Sequence, residues 1–160
     1  MKLIARIASL QLKLAMLAVL TMCVVTVTDV FLKYVFNRPI EGAYDLVESL
    51  LPVVVFYGLP ATLLRRQNIV IDLVDHVVSA RWVRVLTAAS DFVVLGLLVA
   101  IAWAFLAPAK LAFDYGDRKI ELGLPIAAIW VVVIAGMAGV VLAAAANVFW
   151  AVRPDVGQEP

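Results

Sequence analysis

DVFLKYVFNRPIEGAYDLVESLLPVVVFYGLPATLLRRQNIVIDLVDHVVSARW, residues 29–82, decides the fold of this chain. It opens inside one apolar run and reaches a polar turn at Asn37-Arg38-Pro39. Pro39 disfavours helical geometry at Arg38, and Asn is a common turn residue. Gly42 allows the chain to reverse, and a second apolar run follows from Tyr44 to Leu64. A connection this short predicts two antiparallel neighbouring helices. Pro52 and Pro60 inside the second run free the backbone carbonyls of Glu48 and Phe56 and predict a bend there. Arg65-Arg66 closes the run. From Ile69 to Ala80 the polar residues Asp72, Asp75, His76 and Ser79 recur at helical spacing among Ile, Val and Leu. That segment is too short to cross a bilayer and too apolar for a free loop, so a helix lying in the interface plane is expected.

Working outward, residues 1–13 carry Lys2, Arg6 and Lys13, and residues 14–28 carry no charge. A basic start and an apolar core also describe a signal peptide. No A-x-A site follows, however, and the apolar pattern runs on through Phe36, so an uncleaved first span over 12–36 is expected. On the other side, Arg81, Trp82 and Arg84 lead into a third span over 83–107, stopped by Pro108. A charged loop over 109–123 precedes a fourth span over 124–151 that opens with Pro125, a residue tolerated in a first helical turn. The expectation is a single domain over 1–160: an all-α integral membrane protein with four transmembrane helices and a short amphipathic interfacial helix over 69–80.

Composition agrees. The chain has 160 residues, of which 65% are hydrophobic and 16% charged, and its mean hydropathy is +1.04. Soluble domains carry about 45–50% apolar and about 25% charged residues. A net charge of +1 argues against nucleic acid as a partner. One cysteine, Cys23, excludes a disulfide framework, a CxxC pair and a Cys-rich zinc site; in its apolar run it reads as a small hydrophobe. The single histidine, His76, belongs to a polar face and has no second ligand type beside it. No nucleophile–base pair, phosphate loop, metal cluster or cofactor motif is legible, so no enzyme activity is expected.

Charges locate the ends and mark the exceptions. Basic residues gather at the ends that share a side with the termini: Lys2, Arg6, Lys13, Arg65, Arg66, Arg81, Arg84 and Arg153. This asymmetry predicts cytoplasmic termini. Trp82 and Trp150 fall at the inner boundary, Trp103 and Trp130 near the outer one. Glu41, Asp45 and Glu48 share a face at the start of the second helix, either as anions at its positive end or as a docking face. Two carboxylates, Asp29 and Asp91, sit within apolar runs, where a charge is costly. Lys33 at i+4 suggests an ion pair for Asp29, and Asp91 is expected to meet a polar group on another helix or chain. In the fourth helix Ala135, Gly139, Ala143 and Asn147 form a small-residue row suited to close packing, on this chain or on another.

Lys33-Tyr34-Val35-Phe36-Asn37-Arg38-Pro39-Ile40 followed by Asp45, Leu64-Arg65-Arg66 leading to Asp72, and Gly116-Asp117 with Leu122-Gly123-Leu124-Pro125 occur in that order. Together they resemble the small membrane subunit of tripartite ATP-independent periplasmic (TRAP) transporters, the DctQ-like family, over nearly the whole chain. The resemblance implies a non-catalytic subunit without cofactors in the bacterial inner membrane. Its implied partners are a large multi-span membrane subunit that carries substrate and sodium, and a periplasmic binding protein that delivers an organic-acid-type substrate. Tyr34, Asn37, Arg38, Pro39, Asp45, Arg65, Asp72 and Pro125 are the motif candidates, and Gly139 the packing candidate. The competing function is a self-contained four-helix ion channel or proton carrier using Asp29 and Asp91.

Overall fold

The computed structural model describes residues 2–64 and 80–152 of the chain. Among these, the regular structure is entirely α-helical apart from one isolated bridge, Arg118 to Pro125. Helix α1 spans Lys2–Phe36, α2 Ala43–Leu64, α3 Ala80–Tyr115 and α4 Ile126–Val152. Each is long and apolar enough to cross a membrane. The interfacial helix expected over 69–80, with Arg65 and Asp72, lies outside the described residues except for Ala80, which begins α3.

Two helix ends differ from those expected. α1 starts at Lys2 rather than near Leu12, because nothing between Met1 and Phe36 is Gly or Pro and no other breaker interrupts the run. Pro108 does not stop α3, which continues to Tyr115. Ala109, Lys110, Leu111 and Ala112 are good helix formers, and Ala109 and Ala112 are buried, so the turn after Pro108 is held by propensity and packing. The stop comes at Gly116, whose φ of 63° is the left-handed geometry of a helix C-cap. At 1.5 Å per residue α1 and α3 are roughly 50 Å long, well beyond a hydrocarbon core of about 30 Å, so they tilt or project. α2 is the shortest helix and keeps both prolines inside it, with Pro60 fully buried.

The helices do not close into a square bundle. α1 packs on α2, α2 on α4 and α4 on α3, while α1 reaches α4 over a small area. α4 is therefore central, and α3 sits at the edge. The sequence supports this with inward-facing residues at alternating steps of three and four. On α1 they are Ala8, Gln11, Ala15, Ala18, Met22, Val25, Asp29 and Leu32; on α4, Ile126, Trp130, Val133, Met137, Val140, Ala144 and Asn147. Such a 3.5-residue repeat keeps one seam facing a neighbour at a shallow crossing angle. The core comprises Leu63, Leu98, Met137, Val140, Ala143 and Ala144. Phe56 of α2, Phe105 of α3 and Trp130 of α4 meet edge to face, with ring centroids 5.5 and 5.7 Å apart.

The small residues of α4 are consumed inside the chain. A Cβ at Gly136 would lie 2.6 Å from the Tyr57 ring, and one at Gly139 would strike the Gln11 amide. Ala143 is fully buried, whereas Ala135, placed in the same row on the sequence, is exposed. The true inward line is Gly136, Gly139, Val140, Ala143 and Ala144, set around the helix toward α2 and α1.

Candidate interface clasp at the turn end

The 37–42 turn and the 116–125 loop lie at the same end of the helices, and their residues are tied together. Asn37 takes a left-handed φ of 50°, which Asn tolerates, and the Arg38 N–H returns to the Leu32 carbonyl at 3.3 Å. Past Pro39, the Ile40 N–H is turned back toward α1 and donates to the Asp29 carboxylate at 2.7 Å. Asp29 therefore serves the turn. No ion pair joins it to Lys33, contrary to the i+4 expectation. The helix periodicity that puts Lys33 nearby says nothing of a backbone donor eleven residues on, whose bond to a carboxylate is charge-assisted.

Asp45 occupies the first turn of α2 and is only 7% exposed. Its Oδ2 accepts the N–H of Glu121 at 2.9 Å and that of Leu122 at 3.2 Å. Glu121 reciprocates: its Oε2 accepts the Gly42 N–H at 2.9 Å. Lys119 forms an ion pair with Glu48. Gly42 has a φ of 81°, and a Cβ there would lie 2.6 Å from Leu122, so the leucine fills the space the glycine leaves. Two carboxylates, one from each helical hairpin, thus accept backbone N–H groups of the other hairpin. The sequence placed Glu41, Asp45 and Glu48 on one face, and in the structure two of them, Asp45 and Glu48, meet this chain's own loop.

The loop is preorganised for that contact. Lys119 N–H bonds to the Leu124 carbonyl at 2.8 Å, Gly123 N–H to the Lys119 carbonyl at 2.9 Å, and Ile126 N–H to the Asp117 carbonyl at 2.9 Å. Gly123 supplies a φ of 64° for the reversal. Pro125 immediately precedes α4, where its missing N–H costs nothing. At the loop tip, Ile120 is 98% exposed.

The other sequence candidates scatter. Tyr34, Asn37, Arg38 and Pro39 are exposed around the turn, and Lys33 with them. Asp91 is half-buried on α3, away from Asp29, and has an interaction partner of its own. Gly139 belongs to the packing of α4. Gly42 was read only as the point of reversal, Leu122 only as part of the 122–125 motif and Glu121 only as one of the loop charges; that they meet across the hairpins was not read from the sequence. The available signal was a loop acid and a leucine immediately before a Gly-Leu-Pro step, opposite an Asp one turn into a helix. At the opposite end of α2, Asn147 Nδ2 donates to the Leu63 carbonyl at 2.8 Å, satisfying one of the acceptors left open at a helix C-terminus. Among the described residues, no group of three or more His, Cys, Asp or Glu is placed to hold a metal ion. An open apolar groove between α1 and α2 is lined by Val19, Met22, Cys23, Thr26, Val27 and Val54 and offers no polar chemistry beyond the Thr26 hydroxyl and the Cys23 thiol.

The family model described as tripartite ATP-independent periplasmic transporters, DctQ component, matches residues 22–153. That range contains the turn, the clasp and all of α2, α3 and α4. No individual curated protein matches the chain.

Proposed function

The chain belongs to the DctQ family of tripartite ATP-independent periplasmic transporters, and from that premise we propose that it braces the large membrane subunit of such a transporter without carrying substrate itself. The observation that carries this reading is where the polar groups go. Asp29, Asp45, Glu121, Glu48 and Lys119 are spent on holding the turn and the loop, not on lining a path through the helices. The row of helices leaves wide apolar flanks: Leu17, Leu20, Val24 and Val27 on α1, and Phe92, Val93, Leu97 and Trp103 on α3 are all exposed. Apolar flanks of that size suit lipid and a second membrane subunit.

In this reading the chain sits in the bacterial inner membrane with both termini in the cytoplasm and the clasp on the periplasmic side, as the basic asymmetry supports. The large subunit carries sodium and an organic-acid-type substrate brought by a periplasmic binding protein. Asp29, engaged by Ile40, is a poor carrier of protons or ions through the helices, which weighs against the channel alternative.

The test is reconstitution in liposomes with this chain, the large subunit and the binding protein, each omitted in turn. Sodium-dependent uptake is expected only with all three. Uptake by this chain alone, or full uptake without it, would end the accessory reading.

A further inference from the structure

We propose that Asp45 is the positioning residue of a strap that fixes the α3–α4 hairpin to α2, and that this strap stays closed while the transporter turns over; the inference rests on the accessory reading above. α2 is bound to the other hairpin by polar contacts at both of its ends. In its first turn, Asp45 Oδ2 receives two N–H groups from the 116–125 loop. In its last turn, the Leu63 carbonyl receives Asn147 Nδ2. Between these points the contact with α4 is apolar, with Gly136 against Tyr57 and Phe56. Apolar seams alone let helices slide, because one register buries much the same surface as the next. Here a slip of one helical turn, about 5.4 Å, would break both polar ends together and pull Leu122 out of the space at Gly42.

Opening at the turn end alone is also costly. Asp45 is buried, and a buried carboxylate that loses its donors is left uncompensated. Glu121 and the Gly42 N–H would lose each other in the same step, and Lys119 would leave Glu48. The two hairpins consequently have no cheap hinge at this end. Asp45 acts through the loop it holds: it sets where residues 119–122 stand relative to α2, and so fixes the surface the chain presents to its partner.

The test uses the full three-component transporter in liposomes, with this chain in a Cys23→Ser background. Glu48→Cys and Lys119→Cys replace the ion pair, and a short bifunctional thiol reagent bridges them. Uptake by the bridged transporter is expected to stay within twofold of the unbridged one. Asp45→Ala is expected to lower uptake by roughly fivefold or more, the factor that one lost interaction produces in an equilibrium. Asp45→Asn, which keeps an acceptor oxygen, is expected to retain most uptake. Bridging 48 to 119 in the Asp45→Ala chain is expected to restore it, which loss of folding alone would not allow. Loss of uptake on bridging the otherwise active Cys pair would show that the strap opens during turnover and overturn the proposal. So would undiminished uptake with Asp45→Ala. A control lacking the chain separates the claims: full uptake there sinks the accessory reading and the strap's role with it, whereas loss on bridging sinks the strap alone.

Discussion

At the scale of single residues, Asp29 and Asp45 stand where backbone donors would otherwise be stranded. Asp29 was legible as an anomaly, a carboxylate in an apolar run, but its partner was not. Helical spacing offered Lys33, and the structure gives the Ile40 N–H beyond the turn. A double-mutant cycle of Asp29→Asn and Lys33→Gln should accordingly be additive in thermal stability, with no coupling beyond a few tenths of a kcal/mol. Asp29→Ala alone should cost about 1.5–3 kcal/mol, the range for a hydrogen bond to a charged group. Coupling near 1 kcal/mol in the cycle would return the aspartate to its lysine. Gly42 makes a second case. Its φ of 81° and the nearby Leu122 side chain predict that Gly42→Ala destabilises by two separable routes. The steric route should be relieved when Leu122→Ala is added, while the left-handed backbone cost of about 1–2 kcal/mol should remain. Full recovery in the double variant would show that the backbone there is unstrained. Neither partner could be read from sequence, because Ile40 lies beyond the end of the helix that holds Asp29 and Leu122 lies in the loop of the other hairpin, so no local period links either pair.

At the scale of helices, existence and order were legible and ends were less so. Long apolar runs free of Gly and Pro dictate α1, and the short 37–42 turn dictates its antiparallel partner. Pro108 misled, because a proline removes one hydrogen bond without forbidding the next turn where the following residues favour helix and are packed. The small residues of α4 were visible as a row, but which of them face inward depended on where α1 and α2 lie. The structure now ranks them. At Gly136 a Cβ meets the Tyr57 ring at 2.6 Å and the Phe56 Cβ at 2.9 Å, and the Phe56 Cβ cannot yield without moving α2. At Gly139 the nearest atoms a Cβ meets are those of the Gln11 amide, the far end of a flexible side chain. Gly136→Ala should therefore cost about 1–3 kcal/mol, as overpacking does, and Gly139→Ala markedly less. Gln11→Ala should remove what penalty Gly139→Ala has while leaving that of Gly136→Ala intact. Thermal denaturation of the four variants in detergent checks the order. An equal penalty at the two glycines would mean that α1 and α2 press on α4 alike.

At the scale of the whole molecule, the arrangement explains why a protein so apolar can still specify one structure. Lipid tails do not drive helices together as water does, so packing and polar contacts decide the assembly. Here interlocking seams join α1 to α2, α2 to α4 and α4 to α3, and the clasp and the Asn147–Leu63 bond pin the middle joint at both ends. Among the described residues, the clasp and the Asn147–Leu63 bond lie at the two ends of α2, where water and headgroups begin, and the flanks are left apolar. The same logic gives the orientation a sharp test. The clasp loop lies at the turn end and carries Ile120 almost wholly exposed, while Arg6 is exposed near the start of α1 at the opposite end. In a Cys23→Ser background, Ile120→Cys should react with a membrane-impermeant maleimide in intact cells. Arg6→Cys should react only after the membrane is opened, because the basic residues cluster at its end and such clusters stay in the cytoplasm. Labelling of Arg6→Cys from outside, with Ile120→Cys protected, would invert the molecule. The clasp would then face the cytoplasm, opposite to the side proposed for it.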